Sequence, residues 1–462
     1  MTKATAKPAT ELPPIKFWLV LKPYLNRLFM SRYFMLAELA AACIIIIFGW
    51  EVEGAVAFTF LAISALVLCN DMLAALTPCL LMSIFLTKCY NSADIFLPYA
   101  WVALPAALAA LIHIFAYGKR TRITPNFWGT VAVAAAVTLG GFGTISKNDF
   151  WNATSLFYVG LLGIGTVIFY LWAMNCVNEH DGYDIFSKFA GIFYLMGILA
   201  CFSVLHYYWV QWDMVWENRE LADFQASNNL ATFLMIAMPF TCWFSLKNKV
   251  HLFGFGLMFA CLILSGSRGG LLMGTIEFFI CLAYLAAAQK KHRIIYVCTI
   301  LAAALLVYFN VENLLSLYKI DTIGELVSQN EARYELLRRL DDDIRSNILF
   351  GRGLGYSGNS DIYNPVKGAM HWYHMMIPQI IGSLGVVGVF AYMLQFTVRV
   401  FSVLRRTNTY KLVLGLSYLG LLLMSQVNPG EFSPPYSLLA VLIFVYVDKY
   451  SVKNHVTAVI GH

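Results

Sequence analysis

Stretches of about 20 residues poor in charge follow one another along nearly the whole chain, and a hydrocarbon core about 30 Å thick requires roughly that length for each helical crossing. On that ruler there are about 14 candidate spans, at 33–50, 54–70, 72–89, 98–117, 127–146, 154–175, 186–208, 228–246, 251–267, 269–288, 293–309, 373–397, 411–428 and 433–448. Composition agrees. With 60% of its 462 residues hydrophobic and 13% charged, and a mean hydropathy of +0.67, the chain has too little polar surface for a soluble globule. The expected fold class is an all-α polytopic membrane protein.

The net charge of +6 is informative through where the cations sit, and a diffuse basic excess on such a chain reports orientation, with no nucleic acid expected as a partner. Residues 1–32 read as a basic amphipathic segment, because Phe17, Trp18, Leu21, Leu25 and Leu28 alternate with Lys16, Lys22, Arg27 and Arg32 in a pattern suited to anionic membrane lipids. The transmembrane domain then runs over 33–448 and a short tail over 449–462. With a cytoplasmic N-terminus, the inside loops receive Lys119, Arg120, Arg122, Lys188, Lys247, Lys249, Lys290, Lys291, Arg293, Arg399, Arg405, Arg406, Lys411, Lys449 and Lys453. The short outside loops keep Lys88, Lys147 and Arg219, with Arg268 at a span end. That asymmetry follows the positive-inside rule and makes both termini cytoplasmic. Eight of the ten cysteines lie in apolar runs and act as small hydrophobes; no CxxC pair suggests zinc.

The one long polar segment, 310–372, falls outside on this topology. Arg333, Leu336, Leu337, Leu340 and Ile344 recur in it at helical spacing, and Glu335/Arg339, Arg338/Asp342 and Asp341/Arg345 make i,i+4 pairs. Gly351, Gly353 and Gly355 then permit a tight return. The segment is expected to form a helical cap over an outward-facing cavity, bracketed by Ser267-Arg268-Gly269-Gly270 and by His371-Trp372-Tyr373-His374.

An enzyme site on the outer face has no ATP or nucleotide sugar to hand, so an activated donor must arrive attached to a lipid. A polyprenyl diphosphate meets that requirement. Cleaving its sugar–phosphate bond requires stabilisation of charge on the leaving diphosphate and removal of a proton from the attacking hydroxyl. Arginine supplies the first through its planar fork; histidine, with a reference pKa of roughly 6.5, supplies the second. Simpler readings stand beside these: Arg268 as an arginine snorkelling to headgroups, Arg333 as a solvated helix charge, and His374 as an interfacial histidine. The glycines after Arg268 are expected to let a large anionic headgroup approach the backbone. His371 is the alternative base, or the two histidines form an i,i+3 metal pair.

Ser267-Arg268-Gly269-Gly270, Arg333 at the head of a loop helix, Gly351-Arg352-Gly353-Leu354-Gly355, and His374 followed by Gln379 and Gly385-Val386-Val387-Gly388 together resemble the O-antigen ligase and O-antigen polymerase superfamily. Asn229 entering a span that contains Pro239 looks like the same family. The resemblance covers roughly 225–390; Met375, where the family commonly has Asn, and Pro378 depart from it. It implies a C-type glycosyltransferase-like bundle of about 12–14 transmembrane helices with a helical extracytoplasmic loop. Such an enzyme moves a glycan from undecaprenyl diphosphate to an acceptor hydroxyl, on a lipid or a glycan, at the outer face of a bacterial cytoplasmic membrane, without cofactor or metal. By the same resemblance Arg268 and Arg333 hold the diphosphate and His374 orients or deprotonates the acceptor, with Asn229, Gln379 and Arg352 also on the substrate side. His374 rather than His371 matches the family's distances to Gln379 and Gly385. A repeat-unit polymerase is the alternative within the superfamily. A transporter or lipid flippase is the rival outside it, motivated by Glu38, His113 and Glu277 in or near spans.

Overall fold

The computed structural model describes residues 14–89, 93–118, 123–140, 156, 158–177, 184–213, 227–309, 331–354, 373–428 and 430–460. Among the described residues all regular structure is helical. In chain order the helices are α1 (Pro14–Phe29), α2 (Arg32–Phe48), α3 (Glu51–Leu68), α4 (Leu73–Phe85), α5 (Ala103–Tyr117), α6 (Pro125–Leu139), α7 (Gly165–Cys176) and α8 (Ile185–Val210). There follow α9 (Ser227–Lys247), α10 (His251–Leu264), α11 (Arg268–Ala288), α12 (Arg293–Phe309), α13 (Glu331–Ser346), α14 (Met376–Leu404), α15 (Thr409–Ser425) and α16 (Pro434–Ile460).

The protein is a polytopic membrane protein, and each expected span overlaps one of these helices. Among the described residues, seven helices are long and apolar enough to cross a bilayer, or eight with the bent pair Leu21–Phe29 and Arg32–Phe48 taken as one span. Of the other expected crossings, α4, α6, α10 and α15 are apolar but shorter helices, of 10–17 residues. At 1.5 Å per residue, the 14 residues of α10 extend about 21 Å, short of a core of about 30 Å.

Helix α9 is the centre of the bundle. Of its apolar window 83% is buried, and it packs against α8, α10, α11 and α15. A helix apolar on every side has no face to give to water and settles among other helices. Helices α6 and α14 run antiparallel in close contact, with Gly129 against Gln395 and Gly140 against Leu384.

One end of the bundle is rimmed by lysines that reach backbone carbonyls or aromatic rings. Lys188 Nζ donates to Met30 O at 2.7 Å, Lys411 Nζ to Ser402 O and Arg405 O at 3.0 and 2.9 Å, and Lys449 to Val177 O. Lys247 lies 3.9 Å from the centre of the Trp243 ring. These groups are among those assigned above to the inside loops. Arg399, also assigned there, does not lie in a loop: it is buried within the bundle, bonded to Glu431 and, at 2.6 Å, to the Tyr418 hydroxyl. Its long stem carries the guanidinium away from the helix end to the one carboxylate that compensates it.

The residues behind the transporter reading do not converge. Glu38 is on α2, and His113 on α5 accepts from Trp172 Nε1 at 3.1 Å. Glu277 on α11 is buried against Gly420 of α15.

Replacing Arg399 by Ala leaves Glu431 uncompensated and should destabilise the fold by about 3–5 kcal/mol, while an Arg399→Met, Glu431→Leu pair should recover most of the loss. Thermal unfolding of the purified protein in detergent reads both outcomes.

Candidate functional site

At the end of the bundle opposite the lysines, three helix starts meet. Ser267 caps α11, its Oγ accepting from Gly270 N–H at 2.9 Å and donating to Asn228 Oδ1 in the first turn of α9 at 2.6 Å. The hydroxyl of Tyr436, near the start of α16, donates to Asn229 O at 3.2 Å. Arg268 is the first residue of α11; its side chain is exposed and makes no hydrogen bond or ion pair with the described residues. The unpaired amides of a helix start and a free guanidinium both favour an anion.

Gly269 and Gly270 do not leave room for a headgroup, contrary to the expectation from sequence. A Cβ at Gly269 would lie 2.5 Å from Val427 Cγ2, and one at Gly270 would lie 2.6 Å from Ala231 Cβ. The space is taken by neighbouring helices, so the glycines serve close packing of α11 on α9 and on the end of α15.

His374 precedes α14 at this same end. Helix α14 finishes at the lysine rim, where Lys411 bonds Arg405 O, and α15 returns from there to bring Val427 against Gly269. Helix α14 is broken at Gly385 (φ 61°, ψ −154°), a conformation open essentially to glycine alone. A continuous helix would bond Val386 N–H to Gly382 O and Val387 N–H to Ser383 O. Here Val386 N–H donates to Ile348 O and Val387 N–H to Leu349 O, at 2.9 and 3.1 Å, while Gly382 O and Ser383 O accept from Arg352 and Gly353 N–H, at 2.8 and 2.9 Å.

The segment after α13 is thus inserted into the gap and replaces two helical bonds with four. Gly351 (φ 66°) and Gly385 face each other across it: a Cβ on Gly351 would lie 2.6 Å from Gly382 O, and one on Gly385 would lie 2.6 Å from Ile348 O. The described part of the expected cap, 331–354, therefore packs on the start of α14. Residues 310–330 and 355–372, with His371, Trp372, Gly355 and Asp361, lie outside the described residues.

The turn that carries His374 is held from both sides. The Tyr373 N–H donates to Gln379 Oε1 at 2.9 Å, and Gln379 Nε2 donates to Ser383 Oγ at 2.8 Å. Gln379 N–H closes the turn on Met375 O at 3.0 Å. Between these anchors His374 has φ 54°, a left-handed conformation that costs a non-glycine residue on the order of 1–3 kcal/mol and persists where its surroundings over-determine it. The imidazole is half-buried.

Of the residues named from sequence, the structure brings His374, Gln379 and Arg352 into one assembly, and Arg268 and Asn229 into another at the same end. Arg333 lies in the first turn of α13; its side chain is outside the described residues. Gln379 is fully buried with both amide ends engaged, and Arg352 Nε is bonded to Asp343 Oδ1 at 3.2 Å. Among the described residues no three His, Cys, Asp or Glu side chains converge as a metal site.

The structure adds Asn228, Asp343 and Tyr373, whose hydroxyl donates to Asp343 Oδ2. Asp343 had a signal in the sequence: it stands seven residues after buried Leu336 on one helical face, whereas Asp341 and Asp342 are exposed. The expected pairs Glu335–Arg339 and Asp341–Arg345 form, but Arg338 turns to Glu335 instead of Asp342.

These observations define a class: a helical membrane protein with a free arginine at a helix start and a histidine in a clamped turn at the same end. The O-antigen ligase family model matches residues 253–393, which take in Arg268, Arg333, Arg352, His374 and Gln379 and leave Asn229 outside. The match supports the O-antigen ligase superfamily for this part of the chain, and members of that family are glycosyltransferase-like enzymes. No curated protein and no solved structure matches the chain.

A Gly385→Ala substitution should push the inserted segment out of α14, since the new Cβ meets Ile348 O and the backbone conformation is barred to alanine. Limited proteolysis should then cut within 347–354, which the parent protein protects, while circular dichroism shows the helical content retained.

Proposed function

We propose that this protein is an O-antigen ligase-like glycosyltransferase. It transfers a glycan from undecaprenyl diphosphate to an acceptor hydroxyl at the outer face of a bacterial cytoplasmic membrane, with both of its termini cytoplasmic. The observation that carries the reading is Arg268: an exposed guanidinium without a protein partner among the described residues, at a helix start, on the same end of the bundle as the His374 turn.

The chemistry follows from these groups. The bond between the anomeric carbon and the diphosphate oxygen breaks, and the negative charge that grows on the leaving oxygen is met by Arg268 and Arg333. The acceptor oxygen forms the new bond to the anomeric carbon as its proton passes to the neutral imidazole of His374. The products are the glycosylated acceptor and undecaprenyl diphosphate. Both charge stabilisation and proton removal are supplied by side chains, so the reaction is expected to run without a metal.

Purified protein in liposomes, supplied with a lipid-linked glycan and acceptor but no nucleotide, should form product, and EDTA should leave the rate unchanged. A single discrete product mass marks a ligase; a ladder of repeat units marks the polymerase of the same superfamily. Clear inhibition by EDTA, reversed by one divalent ion, would overturn the metal-free mechanism.

Arg268→Ala and Arg333→Ala should each lower turnover about 10²–10³-fold, with Arg→Lys restoring only part because a point charge replaces a bidentate fork. Parent-level turnover in Arg268→Ala would remove it from the mechanism. His374→Ala should lose about 10²–10⁴-fold while still binding donor, and His371→Ala should stay active. The reverse pattern would move the base one helical turn back. Activity in both would exclude a histidine base and turn attention to Asp361.

A further inference from the structure

Among the described side chains of α13, Asp343 is the one acid withdrawn from water, with 4% of its surface exposed. Both of its oxygens are occupied: Oδ1 accepts from Arg352 Nε at 3.2 Å, and Oδ2 accepts from the Tyr373 hydroxyl. The three residues come from three separate pieces of chain. Asp343 belongs to the loop helix, Arg352 to the segment inserted into α14, and Tyr373 to the turn that leads into α14. Tyr373 is itself 2% exposed, its ring lies over Gly382, and its N–H is bonded to Gln379. The next residue is His374, in its left-handed conformation.

We propose that Asp343 is a positioning residue for glycan transfer: through the Tyr373 hydroxyl it fixes the orientation of His374, and through its own helix it fixes the distance from that histidine to the first turn of α13, where Arg333 lies. The inference rests on the functional reading above. Its physical basis is that a carboxylate taken out of water is costly unless every lone pair is used, and here the partners that compensate Asp343 are the two chain segments flanking the His374 turn.

An acid whose only task was to stabilise the loop helix would be served by its neighbours on that helix, as Asp341 is by Arg345 at 2.8 Å. Asp343 instead bridges outward. With its bridge removed, Tyr373 keeps its backbone bond to Gln379 but loses the bond from its hydroxyl to Asp343, so the turn that carries His374 is held less tightly.

The test uses the full chain in liposomes, with Asp343→Asn, Tyr373→Phe and the double variant. Each single variant should lower kcat for transfer from lipid-linked donor about 10–100-fold with little change in donor KM, the loss expected when a reacting group is misplaced by about 1 Å. The double variant should be no worse than the poorer single one, because both remove the same bridge. Asp343→Glu should restore part of kcat by keeping the charge.

A second readout does not depend on turnover. The rate at which diethyl pyrocarbonate modifies His374, followed by peptide mass spectrometry, should rise in both single variants. Should Asp343→Asn fail to fold, Tyr373→Phe, which removes only a hydroxyl, carries the test.

Parent-level kcat in Tyr373→Phe, or losses that multiply in the double variant, would overturn the inference. So would unchanged His374 reactivity, whether or not the parent protein transfers glycan. An inactive parent protein in which both variants still raise His374 reactivity would overturn the functional reading while the positioning stands.

Discussion

A peptide group in or near hydrocarbon must find a hydrogen-bond partner within the protein, because an unsatisfied one costs several kcal/mol. Helix α14 breaks at Gly385 inside a membrane bundle, and everything on the histidine side of the site depends on how that break is satisfied. The two amides and two carbonyls that would have bonded each other across one helical turn are instead bonded to the segment 348–353. The exchange locks the loop helix α13 onto the start of α14. It also explains why glycines stand at 351 and 385, since a Cβ at either position would strike the opposing backbone.

The two halves of the candidate site are built by different means. On the arginine side, the starts of α9, α11 and α16 are tied by short side-chain bonds through Ser267, Asn228 and Tyr436, and α9 is the most enclosed apolar helix of the bundle. That side inherits its rigidity from the core. On the histidine side, a strained turn is held by hydrogen bonds to Gln379 and by the inserted segment, and its rigidity comes from backbone complementarity.

Charge is distributed with the same economy. Arg352 and Arg399 are each compensated by a buried acid, Asp343 and Glu431, which is the condition for keeping a cation inside a membrane protein. On α13, Arg338, Arg339 and Arg345 pair with acids one turn away. Arg268 has no such partner among the described residues, and an uncompensated guanidinium beside helix starts is electrostatically ready for an anionic ligand.

Much of this was legible in the chain because the relevant physics is local. The length of an apolar run against the thickness of the bilayer locates the spans, and the pairing of Glu335 with Arg339 and of Asp341 with Arg345 follows from helical spacing alone. Ser267 before Arg268 marks a helix start, and the resemblance read from the order of the arginine, glycine and histidine motifs agrees with the family match over 253–393. What only the tertiary structure decided involves partners far apart in sequence. No periodicity reveals that 348–353 enters the gap at Gly385, that Gly269 and Gly270 make room for Val427 and Ala231, or that Arg399 leaves the helix end to meet Glu431. Nor does the helical spacing that puts Asp343 on the buried face name Arg352 and Tyr373 as its partners, because a hydrogen bond between distant segments depends on where packing brings their backbones.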